Sequence, residues 1–241
     1  MNLRNNRASL LIALTVLAVL VPMAHANVFT FVTPTGSSTG GGPVNATATV
    51  TTGAGTVTIV LTDLQSNPTD VAQLISDFDF VLSNGATTGT LTSAIGQEVN
   101  IAANGSFVLS GAGLPFTGWQ LNSNVGGGIQ ITALGGGQPK DLIIGPPGGA
   151  TYSNANGSIA GNGPHNPFVN QTGTFVVTVA GVTAATNITS AVFSFGTTAG
   201  VNIPGVPGSS VPEPTSLALG ATMIGMALLL GKRFRSVSPN C

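Results

Sequence analysis

Val44-Asn45-Ala46-Thr47-Ala48-Thr49-Val50-Thr51 sets an apolar residue against a polar one at every step. After Gly53-Ala54-Gly55, Thr56-Val57-Thr58-Ile59 alternates again, then runs apolar through Val60 and Leu61 before Thr62. A period of two lays one face of a strand on a core and the other in water. The glycine-bearing triplet between the two runs reads as a hairpin turn. Working outward, residues 77–83, 88–93, 98–102, 105–110, 117–123, 128–134, 141–144, 173–180 and 188–196 read as further strands. They are rich in Thr, Val, Ile and Phe and are punctuated by Asn84-Gly85, Asn104-Gly105 and other turn residues. One short helix is expected at 68–76, with Asn67 as N-cap, Pro68 at the first helical position, and Val71, Leu74 and Ile75 on one face. Phe78, Phe80, Phe107, Phe116, Trp119, Phe168, Phe175, Phe193 and Phe195 are the candidate core anchors. The pattern predicts an all-β, two-sheet antiparallel sandwich of jelly-roll type with one short helix. Residues 145–167, rich in Gly and Pro, read as a long surface excursion.

Composition narrows the function classes. Charged residues are 5% of the 241, against about 25% in ordinary soluble proteins. So few Lys and Arg exclude the basic footprint of a nucleic-acid binder, and the scarcity of Glu, Lys and Arg excludes a coiled coil. Glycine is abundant, at 34 residues, but irregularly spaced, which excludes collagen. The 42% hydrophobic share is enough for a core. The formal net charge of −1 conceals an asymmetry. Five of the six cations lie near the ends: Arg4, Arg7, Lys232, Arg233 and Arg235. From 27 to 210 the chain carries one cation, Lys140, against Asp63, Asp70, Asp77, Asp79, Glu98 and Asp141, leaving −5.

Both ends read as addresses. Arg4 and Arg7 precede an apolar, Thr-containing run from Leu10 to Val21, and Ala24-His25-Ala26 follows as a small-x-small cleavage site. That is the layout of a secretory signal peptide over 1–26, with Asn27 as the mature start. It implies the Sec translocon and signal peptidase as partners. At the other end, Val211-Pro212-Glu213-Pro214 precedes an apolar segment from Leu217 to Leu230, then Lys232-Arg233-Phe234-Arg235. As a helix, 215–231 would be about 25 Å long, a short span for a hydrocarbon core of about 30 Å, with the basic cluster held on the cytoplasmic side. Pro212 and Pro214 keep the Glu213 segment extended.

These C-terminal residues resemble the PEP-CTERM sorting signal of Gram-negative bacteria. Pro212, Glu213 and Pro214 match its recognition box, Leu217 to Leu230 its membrane segment, and Lys232, Arg233 and Arg235 its basic end. The resemblance covers about 30 residues of 241. It implies processing by an exosortase, a membrane transpeptidase-like enzyme, after transient anchoring in the inner membrane. It also implies delivery to the cell surface or the extracellular polysaccharide matrix. The organisation expected is therefore a signal peptide (1–26), a β domain (27–201), a linker (202–210), a sorting signal (211–235) and a cytoplasmic tail (236–241).

Candidate chemistry in the middle of the chain is sparse. His165, in Gly163-Pro164-His165-Asn166-Pro167, has no nucleophile and orienter beside it in sequence. Cys241 is the only thiol and falls in the tail, so the domain has neither a disulfide nor a Cys/His zinc site. Gly126–Gly128 and Gly135–Gly137 lack the Lys-Ser/Thr of a phosphate loop. Asn45, Asn104, Asn156, Asn170 and Asn187 each begin an Asn-x-Ser/Thr triplet, a common chance occurrence in this composition. The acids carry the best constellation. Asp77 and Asp79, two apart on a strand, point to one side and are weak calcium candidates, with Asp63 and Asp70 nearby in sequence. No catalytic residue and no bound cofactor are expected. The leading expectation is a secreted, non-enzymatic surface or matrix protein with a structural or interaction role, touching polysaccharide and not nucleic acid. A glycan-binding module, with Trp119 or Tyr152 exposed for stacking, is the alternative. A secreted hydrolase using His165 or Asp77 is the weaker one.

Overall fold

The computed structural model describes residues 26–208. Its strands are β1 (Asn27–Val32), β2 (Ser38–Thr39), β3 (Gly42–Pro43), β4 (Ala46–Gly53), β5 (Thr56–Asp63), β6 (Ile75–Leu82), β7 (Thr90–Ile101) and β8 (Phe107–Leu109). They continue with β9 (Leu114–Pro115), β10 (Gln120–Val125), β11 (Gly128–Thr132), β12 (Ile143–Ile144), β13 (Phe168–Thr178), β14 (Ile188–Phe195), β15 (Asn202–Pro204) and β16 (Val206–Pro207). The fold is all-β. The alternating runs form the β4–β5 hairpin in the expected phase. Ala46, Ala48, Val50, Val57, Ile59 and Leu61 are buried, while Thr47, Thr49, Thr51, Thr58 and Thr62 face outward and are half-buried. Gly53 pairs with Thr56, and Gly55 closes the turn at φ 71°, a conformation that a Cβ would strain.

One large mixed sheet holds 14 strands, and β2–β3 form a small second sheet. The large sheet has two arms. In the first, β7, β13, β5, β4, β1 and β16 are neighbours in that order, with β8 and β9 on the far side of β7. In the second, β10, β11, β6, β14 and β15 are neighbours. The two-residue strand β12 joins the arms. Ile143 pairs antiparallel with Ile75 of β6, and Ile143 and Ile144 pair parallel with Val169 and Asn170 of β13. This parallel pair departs from the purely antiparallel expectation. Its cause is the long connection 145–167, since parallel neighbours require a crossover and cannot share a hairpin.

Side chains from both arms share one buried cluster: Ala48, Val50 and Ile59 from the first with Phe78, Phe80, Ile129 and Phe193 from the second. Trp119 lies 4.6 Å from Phe175, and Phe116 meets Phe175 edge-on at 5.7 Å. A second cluster gathers Leu74, Val99, Ile101, Leu142, Ile144, Tyr152, Ile159 and Phe168. The excursion 145–167 is therefore more than surface, because it sends Tyr152 and Ile159 inward. Of the expected anchors, Phe107 alone is only half-buried, packed edge-on against Tyr152 at 5.5 Å.

Three local expectations are corrected. The helix at 68–76 is a single 3-10 turn, Val71–Gln73, capped by Asp70 in place of Asn67. The Asp70 carboxylate accepts from Ala72 N–H at 2.9 Å, and Gln73 Oε1 accepts from Asp70 N–H at 3.1 Å. Ile75, expected on the helix, opens β6 between Ile143 and Phe195. So short a helix does not offset its nucleation cost, and sheet pairing outcompetes it. The two runs 88–93 and 98–102 are one strand, β7. Residues 202–207, read as linker, pair in the sheet as β15 and β16. Among the described residues no helix is long and apolar enough to cross a membrane. The expected membrane helix 215–231 lies outside those residues.

Phe175 is fully buried between Trp119 and Phe116. Phe175→Ala is expected to lower stability by about 3–5 kcal/mol, read as a shift of the urea midpoint at unchanged slope. A loss below about 1 kcal/mol would show that this aromatic stack is not close-packed.

Candidate functional site

Strand alternation builds the acidic face. On β6, Phe78 and Phe80 enter the core, so Asp77 and Asp79 take the opposite side. β6 is flanked by β11 and β14, so each acid has neighbours on both sides. Asp77 sits between Thr132 and Ser194, and Asp79 between Gln130 and Val192. Register extends the rows to Gln120 and Asn122 on β10 and to Asn202 on β15. The result is a polar ladder across the outer face of the second arm. Gln120 Nε2 donates to Asn122 Oδ1 at 3.3 Å, Asn122 Nδ2 donates to Gln130 Oε1 at 2.9 Å, and the Gln130 amide donates to Asp79. The Thr132 hydroxyl donates to Asp77, and Ser194 Oγ donates to Asn202 Oδ1 at 2.8 Å.

The ladder leaves both acids under-supplied. Asp77 is only 2% exposed, and one oxygen of each carboxylate (Oδ1 of Asp77 and of Asp79) is buried without a hydrogen-bond partner. Burial, with the charge of Asp79 adding to it, pushes the Asp77 carboxyl up to about 6. Burial also raises Asp79.

Three further acids show the same stress. Asp63 is fully buried at the end of β5, where its inward parity follows Val57, Ile59 and Leu61. Burial holds it well above the ordinary carboxylate range, against two backbone donors, Gln65 N–H at 2.9 Å and Gly145 N–H. Its Oδ2 has no partner. Asp141 is buried and accepts from Gly118 N–H at 2.7 Å, yet burial raises it. Glu98 is raised by partial burial and by the charge and hydrogen bond of the neighbouring Asp141, while the same hydrogen bond lowers Asp141. Asp70 is absorbed by its capping role and by Asn156 Nδ2, which donates to it at 2.7 Å.

The remaining candidates resolve into structural roles. His165 Nδ1 lies 2.8 Å from the Pro139 carbonyl. Trp119 is 6% exposed and donates its indole N–H to the Asp141 carbonyl at 2.7 Å. Tyr152 is 1% exposed and donates to the Gly145 carbonyl at 3.0 Å. Neither aromatic presents a face to a sugar, which removes the stacking platform that motivated the glycan-binding alternative. Gly126 and Gly127 form the β10–β11 turn with positive φ. Asn104 Oδ1 and Asn156 Oδ1 accept from Ser106 and Ser158 N–H, so both triplets fold as local turns. Among the described residues no three His, Cys, Asp or Glu side chains gather around one point. Ala26 and Asn27 are described, Ala26 exposed and Asn27 opening β1. Ala24, Pro212, Glu213, Pro214, Lys232, Arg233 and Arg235 lie outside the described residues. No protein-family model, curated protein or solved structure matches the chain.

Sequence reading found Asp77 and Asp79 but missed Asp63, Glu98 and Asp141 as stressed acids. For Asp63 the signal was present, since extending the β5 alternation by two residues places it on the core side. Asp141 precedes β12 at φ 58° and offered no such periodicity.

The folded-state value of Asp77, about 6, lies above its ordinary 3.8. The native state therefore binds this proton more tightly than the unfolded chain does. Its stabilising effect is complete below about 3.8 and is lost as pH rises through about 6. Asp63, Asp79, Glu98 and Asp141 act in the same direction. Urea unfolding is expected to show higher stability in mildly acidic than in mildly alkaline buffer. Asp77→Asn is expected to stabilise the alkaline form by about 1–3 kcal/mol, a gain that fades on acidification. A stability that falls steadily from neutral pH downward, with no gain from Asp77→Asn, would contradict this reading.

Proposed function

We propose that this chain is an exported, non-enzymatic β protein of the cell surface or exopolysaccharide matrix. On this reading it passes the Sec translocon, loses its signal peptide before Asn27, and anchors transiently in the inner membrane. An exosortase-like enzyme then processes it at the PEP-CTERM-like tail. The observation that carries the proposal is the order of three blocks: Val211-Pro212-Glu213-Pro214, the apolar Leu217–Leu230, and Lys232-Arg233-Phe234-Arg235. Two structural facts sit well with it. β1 begins at Asn27, the residue the cleavage site nominates as mature start. β16 ends at Pro207, shortly before Val211. The domain itself supports a passive role through its outward threonines, which hydrate a surface with almost no charge. The two arms, with side chains in one buried cluster, support reading the sheet as a jelly-roll-like sandwich closed at one side by β12.

A second reading, a glycan-binding module, rests on the amide ladder alone. Gln120, Asn122 and Gln130 ending on Asp79 offer hydrogen bonds of the kind sugar hydroxyls use, without an aromatic platform.

The primary proposal is tested by fractionating cells that express the wild type or a variant with Pro212, Glu213 and Pro214 replaced by Ala. The wild type is expected in the surface or matrix fraction at reduced mass, and the variant in the membrane fraction at its unprocessed mass. Identical mass and distribution of the two would overturn the sorting claim.

A further inference from the structure

The outer face of the second arm holds a feature that delivery does not explain. Asp77 and Asp79 stand on one side of β6, their Cα atoms about 6.6 Å apart by strand geometry. Each has a carboxylate oxygen that is buried and without a hydrogen-bond partner. Asp77 is almost wholly buried. Their cross-strand neighbours are Thr132, Gln130, Ser194 and Val192, with Gln120, Asn122 and Asn202 one strand further out. No cation stands in these rows. Lys140, the one cation between 27 and 208, lies near Asp141, whose proton affinity it lowers.

We infer that Asp77 and Asp79 form the anionic half of a calcium site, completed by the neighbouring Thr132 and Ser194 hydroxyl oxygens and by water. The ligand chemistry selects the ion. The side chains facing the two acids are the Thr132 and Ser194 hydroxyls and the Gln130 amide, with no imidazole or thiolate, which suits a hard cation and not zinc or copper. Magnesium demands near-ideal octahedral geometry at short distance, whereas calcium accepts the looser arrangement that two carboxylates two residues apart on a strand can provide. Repulsion between the acids, which adds to burial in raising Asp77, is the interaction a divalent ion would relieve. With two acidic ligands and no third His, Cys, Asp or Glu beside them among the described residues, affinity belongs to the extracellular range, about 0.1–1 mM. The other stressed acids make poorer sites. The Asp63 oxygen that has partners is held by two backbone donors, and Asp141 already has Lys140 beside it.

Equilibrium dialysis of the full chain with radioactive calcium tests the inference, alongside thermal unfolding with calcium or with chelator. The wild type is expected to bind about one ion per chain in the range given above, with the unfolding midpoint raised by about 3 °C at saturating calcium. Asp77→Asn and Asp79→Asn are each expected to lose both effects. Each is expected to unfold cooperatively without calcium, having lost a buried charge, which keeps a loss of binding distinguishable from a failure to fold. Glu98→Gln, away from the ladder, is expected to bind like the wild type. Absence of saturable binding in the wild type, retained binding in both Asn variants, or an equal loss in Glu98→Gln would each overturn the site. None of these results depends on how the protein is sorted.

Discussion

The fold is organised around a shortage of positive charge. Between 27 and 208 one lysine faces six acids, and five of those acids are wholly or partly taken out of water. A buried carboxylate without a cation is expensive unless it gains donors or a proton. The structure supplies donors in part: backbone N–H groups at Asp63 and Asp141, and side-chain hydroxyl and amide groups at Asp77 and Asp79. In each of these four carboxylates one oxygen is left over. A proton, or at Asp77 and Asp79 a divalent ion, is what the geometry then favours.

Some of these acids also secure the architecture. Asp63 ends β5 and takes the N–H of Gly145, the residue following β12. Tyr152 donates to the carbonyl of the same glycine from within the excursion. One residue, Gly145, is thus held at both its N–H and its carbonyl where the chain leaves the strand that joins the two arms. A Cβ at Gly145 would collide with the Gln65 carbonyl, so the grip requires glycine there. Asp141 does similar work before β12, holding Gly118 N–H with its side chain and Trp119 with its carbonyl. The seam between the arms is therefore bracketed by two acids.

The hairpin β4–β5, the central run of β6 and most of the aromatic anchors were legible because one physical signal, period two with apolar residues inward, decides them. The all-β class followed from that signal repeated along the chain. What it could not reach was long-range. Ile75 carries both helical and strand patterns, and only its pairing with Ile143 and Phe195 selects the strand. β12 falls within the strand expected at 141–144, but its parallel pairing with β13, which sets the mixed character of the sheet, left no mark in so short a run. Trp119 was expected as a core anchor, and the glycan-binding alternative needed it or Tyr152 exposed; both are buried, and each spends its polar atom on a carbonyl. Among the acids, Asp77 and Asp79 were visible as a pair from their spacing. Their under-supplied oxygens emerged only from the cross-strand register.

A weakly charged domain with proton-hungry or cation-hungry acids suits an exterior setting, where divalent ions are abundant and the surface is hydrated by threonine and amide groups. The central physical claim is that the carboxyls of this domain hold their protons unusually tightly. It is tested most directly by a pH titration of the Asp and Glu side-chain carboxyl carbons by NMR in calcium-free buffer. The account predicts that Asp77 titrates near 6, and that Asp63, Asp79, Glu98 and Asp141 all titrate above their ordinary values. Titration of all five at or below those values would contradict it.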